Sequence, residues 1–183
     1  MGFLVAKFMK PADIPVLPAY FDRYIRKIGD IELDQALAQG LTELERLTPQ
    51  KLFLLRDKTY APGKWTVLDI LQHMADTERI FAYRALRFAR GDRTELKGFD
   101  QDVYARSANA ALRHPEELLE ELREVRRSTR TLFGSFDQEM LLRDGVCNGV
   151  QISVLALGFT AAGHWLHHLE VIGDKYLPLL PSS

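Results

Sequence analysis

Cysteine is almost absent from this chain of 183 residues, Cys147 being the single example. A lone thiol excludes an internal disulfide framework and suits a reducing compartment. Surplus charge is missing too. The net charge is −1, with acids and bases interspersed, so the basic footprint of a nucleic-acid binder is not there. Long hydrophobic runs are also lacking. The longest, near 150–162, is broken by Gln151, Ser153 and Thr160, and is too short and too polar to span a bilayer. The opening MGFLVAKFMKP has too brief an apolar run for a secretory signal. Ala6 stands where a myristoylation signal following Gly2 requires Ser or Thr. These absences lead to the expectation of a cytoplasmic protein with neither nucleic acid nor membrane as partner. Neither an internal repeat nor an alternating strand pattern appears.

What the chain does have is ordinary globular composition, 46% apolar and 27% charged, at a length sufficient for one domain over 1–183. An irregular stretch occupies about 1–17, carrying Pro11 and Pro15. Pro18 opens a short helix with Tyr20, Phe21, Tyr24, Ile25 and Ile28 as its buried side.

Leu33, Leu37, Leu41 and Leu44 recur at helical spacing and predict a first long helix over about 31–47, capped by Asp30. Gly40 beside that stripe marks a close approach of two helices. Pro62-Gly63 suits a type II turn. Thr66 caps a second long helix, with Asp69 completing a weak capping box, and Gly91 ends it. Residues 91–113 read as a long loop, either functional or partly helical.

His114-Pro115-Glu116-Glu117 opens a third helix, whose apolar face is Leu118, Leu122, Val125, Thr129, Leu132 and Phe133. Its arginines Arg123, Arg126, Arg127 and Arg130 read as a solvated face. Asn148-Gly149 predicts a small hairpin. Ser153 caps a fourth helix running to about Tyr176, with Gly173 bending its end and a non-helical tail beyond. Four long amphipathic helices predict an all-α four-helix bundle, and the long 91–113 connection leaves room for a crossover.

Histidines carry the chemistry. His164 and His168 lie one turn apart on the inward stripe of the fourth helix, with Val154, Leu157, Ala161 and Val171. His73 shares the inward face of the second helix with Ile70, Thr77 and Ile80. Two imidazoles on one helix and a third on a facing helix form a three-nitrogen cap with an open position, the pattern of a reactive metal site. His167 points a quarter-turn away, and His114 sits at a helix start. Asp69, one turn before His73, is placed to orient its ring. Glu78 is placed to act as ligand or general base.

The segment YAPGKWTVLDILQHMADTERIFAYRALRFARGDRTELKGFDQDVYA, together with GHWLHHLEVI, resembles the DinB-like (DinB/YfiT) metal-binding four-helix superfamily over about 20–178. The set that carries the resemblance is Trp65 spaced to His73, plus the His164/His168 pair. The resemblance implies a crossover bundle, often a homodimer, with a site for zinc, nickel or a similar divalent ion at His73, His164 and His168. Phe99, Asp100 and Tyr104 match a recurring pattern of the subgroup and stand where they can line a pocket. It further implies a transferase activating a low-molecular-weight thiol. The alternatives are a metal-dependent hydrolase using bound water, with Glu78 or Asp100 as base, and a non-catalytic stress-response module.

Overall fold

Four long helices and several short ones make up the computed structural model, which describes residues 8–181. Gly2, Ala6 and the final two serines, read above from the sequence, lie outside them. In chain order the helices are α1 (Asp22–Ile25), α2 (Leu33–Leu44), α3 (Pro49–Leu55), α4 (Val67–Ala89), α5 (Gln101–Ser107), α6 (Pro115–Gly134), α7 (Gln138–Leu142) and α8 (Val154–Val171). Between α7 and α8 lies a hairpin of β1 (Asp144–Cys147) and β2 (Val150–Ser153).

The long helices pack in a ring: α2 on α6, α6 on α4, α4 on α8, and α8 back on α2. Chain neighbours α2 and α4 therefore face each other across the diagonal, as do α6 and α8. The crossovers fall on the connections that contain α3 and the hairpin. The long 90–114 connection, where the sequence left room for one, joins helices that are side by side. The short helix α1 lies along α8.

Local chemistry explains most element boundaries. Thr66 Oγ1 accepts from the Asp69 amide at 3.2 Å, while Asp69 Oδ2 accepts from the Thr66 amide at 2.9 Å, the reciprocal capping box expected there. Ser153 Oγ accepts from the Ala156 amide at 3.1 Å and starts α8. Asn148 and Gly149 both take positive φ, 53° and 72°, so the hairpin turn has the handedness that two-residue loops require. The end of α8 loosens into a π turn over Ile172–Tyr176, at Gly173 as anticipated, but the tail then forms a single 3₁₀ turn, Leu177–Leu179.

Further differences concern α2, the connection after it and Arg126. Asp30 does not cap α2. It pairs with Lys10 at 2.9 Å, and the helix starts later, with the Glu32 amide donating to Gln35 Oε1 at 3.4 Å. That helix also stops at Leu44, short of 47. The connection after it contains α3, with Thr48 as cap and Pro49 in its first turn. Finally, Arg126 belongs to no solvated face. It is fully buried and paired with Glu78.

The core divides into two apolar clusters. One centres on Phe21, Phe81, Phe88, Phe133 and Phe159, the other on Leu68, Leu71, Leu122, Trp165 and Tyr176. Along α4, Thr77 and Glu78 fall where one cluster gives way to the other, and His73 lies one turn before Thr77. His73, Thr77 and Glu78 thus form a polar seam between the two apolar clusters.

Candidate metal centre

The seam between α4 and α8 brings three imidazoles to one point. His73 Nε2 and His168 Nε2 each lie 3.1 Å from His164 Nε2, and one nitrogen from each ring falls within 4.8 Å of the others. Metal–nitrogen bonds of about 2.0–2.1 Å at tetrahedral angles place the donor atoms about 3.3–3.4 Å apart. The cluster is therefore already close to the spacing a metal ion requires.

Chemistry of the donor set points the same way. When Thr77 Oγ1, 3.3 Å from His73 Nδ1, accepts the proton of that nitrogen, Nε2 is left with its lone pair facing the cluster. Burial first, then the neighbouring imidazoles, holds the pKa of His164 and His168 well below the ordinary histidine value. Burial likewise brings His73 down to about 4. Three neutral rings turning lone pairs toward one another repel unless a cation or a proton lies between them. His164 Nδ1 is buried with no hydrogen-bond partner.

Aromatic rings fix the cluster from outside. Trp65 stands over His73 with centroids 4.8 Å apart, and Tyr24 and Phe81 meet His164 edge-on at 5.3 and 5.8 Å. Tyr24 reaches His164 because α1 runs against Gly163, where any Cβ would come within 1.9 Å of the Tyr24 carbonyl oxygen. Gly40, singled out in the sequence for a close approach, lies against Trp165, the residue after His164.

Two cavities flank the histidines. One, of about 290 Å³, has His73 and His164 in its wall beside Tyr24, Thr77 and Phe81. The other, of about 440 Å³, has His168 in its wall with Tyr60, Trp65, Asp102 and His167. Gln101, the first residue of α5, lines both.

The acids named from the sequence, Asp69, Glu78 and Asp100, line neither cavity and are engaged in other contacts. Asp69 is engaged in the helix cap and leaves the orientation of His73 to Thr77. Glu78 Oε2 accepts from Arg126 Nε at 3.1 Å and Nη2 at 2.8 Å, with Oε1 unpartnered. Burial raises the Glu78 pKa, and the Arg126 charge opposes that rise. Arg126 also donates to the Leu37 and Ala161 carbonyls and stacks over Trp165 at 4.0 Å. Asp100 caps α5, accepting from the Asp102 and Val103 amides at 2.9 and 3.0 Å. Phe99 does line the first cavity, whereas Tyr104 packs against Phe99 at 4.9 Å and is half-exposed. The sequence reading overlooked Arg84, Gln101 and Asn148 in the first cavity's wall. Arg84 follows His73 at helical spacing, which was the available signal.

Fold and site together define a helical bundle with a largely buried three-histidine cluster flanked by two cavities. A family model described as the DinB superfamily matches residues 32–172, and the chain belongs to that superfamily. Comparison with curated proteins gives no match. Among solved structures, YfiT from Bacillus subtilis superposes with a TM-score of 0.65 at 18% identity, over 87% of each chain. That protein is described as having an unusual four-helix bundle topology, and the likeness shows the shared fold. No helix among the described residues is long and apolar enough to cross a membrane.

Proposed function

We propose that the protein is a divalent-metal-dependent enzyme acting on small molecules, with His73, His164 and His168 as the ligands and zinc or nickel as the ion. Within that class we propose a transferase that joins a low-molecular-weight thiol to an electrophile. The observation that carries this reading is the pair of cavities meeting the cluster from two sides, one past His73 and His164 and one past His168. Two reactants then have separate approaches.

A divalent ion at this position supplies Lewis acidity, lowering the pKa of a thiol or water that ligates it. The chain's own residues do the rest. Three uncharged imidazoles leave the ion's charge uncompensated and so favour an incoming anion. Thr77 holds the His73 ring in one orientation. Tyr24, Phe81 and Trp65 keep bulk water from the ligand nitrogens. Glu78 anchors Arg126, which grips the Ala161 carbonyl one turn before His164. On this reading Glu78 is a positioning residue, in place of the base expected from the sequence. The same reading takes the homodimer as the assembly and the cytoplasm as the compartment.

Hydrolysis is the second reading, favoured by the description of the Bacillus subtilis YfiT structure as a probable metal-dependent hydrolase. Metal content of untagged protein, measured beside His73→Ala and His168→Ala, tests the shared premise. Stoichiometric metal in the wild type and its loss in both variants is the expected result. Metal content unchanged in both variants, or absent from all three, would leave only the non-catalytic module. Cobalt-substituted protein titrated with a panel of thiols then separates the two reactions. A sulfur-to-cobalt charge-transfer band supports the transferase, and a spectrum that no thiol alters supports the hydrolase.

A further inference from the structure

Two arginines are buried among the described residues, and only one of them has its charge answered there. Arg126 is matched by Glu78. Arg84, 4% exposed, forms no salt bridge among the described residues, and its one hydrogen bond runs from Nη2 to the Lys97 carbonyl at 3.0 Å. A buried guanidinium without a counter-charge is costly, and such groups persist where a partner arrives from outside.

The position of Arg84 says where that partner sits. It lines the same 290 Å³ cavity as His73 and His164. It follows His73 by eleven residues on α4, which is three helical turns to within about 20°, so both side chains leave the same face. Their Cα atoms are about 16 Å apart along the helix axis. Phe21, Tyr24, Phe81 and Phe99 give the same wall an aromatic surface, which it shares with Thr77, Gln101 and Asn148. The cavity thus brings two imidazoles, an aromatic surface and a guanidinium to one enclosed space. Its volume lies near the lower bound for ligand pockets, about 300 Å³, which selects a small molecule.

We infer that the substrate occupying this cavity carries a carboxylate, held by Arg84, on an apolar body that spans toward the histidines. A single guanidinium offers one positive charge and a planar fork, the match for a carboxylate monoanion. This rests on the metal-enzyme reading for the word substrate, but the anion site itself needs no metal.

The test uses chelator-treated full-length protein, so that no ion competes for the acid. The probes are 3-phenylpropanoate and its neutral amide, titrated while the Arg84 Nε–Hε resonance is followed. The acid is expected to bind on the order of tenfold more tightly than the amide, and to be alone in shifting that resonance. Arg84→Gln is expected to bind both equally, and Arg84→Lys to keep part of the preference. Equal affinities in the wild type, no saturable shift by the acid, or a preference that survives in folded Arg84→Gln would each overturn the inference. If Arg84→Gln does not fold, the wild-type resonance and Arg84→Lys decide. Metal content, measured before chelation, keeps the two readings apart. Wild-type protein that takes up no metal yet prefers the acid sinks the enzyme but keeps the anion site. Metal-replete protein indifferent to the acid does the reverse.

Discussion

At the scale of single residues, the most consequential contact outside the histidines is Glu78 with Arg126. Both side chains are buried, at 1% and 0% exposure. Removing one partner leaves the other charged in a low-dielectric interior. Arg126→Met is therefore expected to cost about 3–5 kcal/mol in urea unfolding, and Glu78→Gln/Arg126→Met together distinctly less. Equal losses in the single and double variants would show that packing on Trp165, and not charge, sets the cost. The histidines give a pH dependence whose sign follows from the direction of their shifts. Folding lowers the His73 pKa from 6.5 to about 4, so the unfolded chain binds the proton more readily. Stability is full above pH 6.5 and falls as pH drops from there toward 4, by roughly 3 kcal/mol from His73 alone. Urea midpoints of chelated protein across that range check this, and His73→Ala is expected to make the curve shallower, His164 and His168 supplying the remaining dependence. The three clustered histidines were legible in the sequence because core-facing position follows helical periodicity, and a histidine on an apolar stripe stands out. Arg126 and Arg84 were not. A charged residue beside an apolar stripe reads as surface until the partner helix is known to carry an acid, or a cavity.

Among the elements, α1 and α8 show how one missing side chain shapes the site. Gly163 lets the α1 backbone touch α8, which sets Tyr24 against His164. Gly163→Ala is expected to destabilise the fold by about 1–3 kcal/mol, as overpacking does, and to weaken metal uptake by displacing Tyr24. Gly134→Ala, at the end of α6 with open space around it, is the matched control, expected to be neutral or slightly stabilising. Similar unfolding midpoints for the two variants would refute a tight α1–α8 contact. The long helices were readable from leucine spacing and caps, Thr66 and Ser153 above all. Apart from α1, which follows Pro18 as expected, the short ones were not, because a helix of two turns or fewer, such as α3 or α5, shows no full period of its apolar pattern. Their caps were present, Thr48-Pro49 for α3 and Asp100 for α5, and are the signals a closer reading uses. The ring order was illegible for another reason. Which helices lie side by side depends on how whole faces pair, and no single connection encodes that.

For the molecule as a whole, the histidine cluster ties α4 to α8, neighbours in the ring whose chain connection passes through α5, α6, α7 and the hairpin. An ion held by both helices would bind the folded chain and find no equivalent site in the unfolded one, so its binding free energy would add to folding stability. At an ion concentration one hundred times the dissociation constant, the gain is about 2.7 kcal/mol. For a chain of this size that corresponds to a rise in Tm of about 5–11 °C. Zinc or nickel added to chelated protein should produce it, and His168→Ala should not respond. Amide exchange ought to slow at the α4–α8 seam and little in α3, which joins neither histidine helix to the other. A thermal shift of the same size in His168→Ala would place the stabilising ion elsewhere on the protein and remove the cluster from the argument.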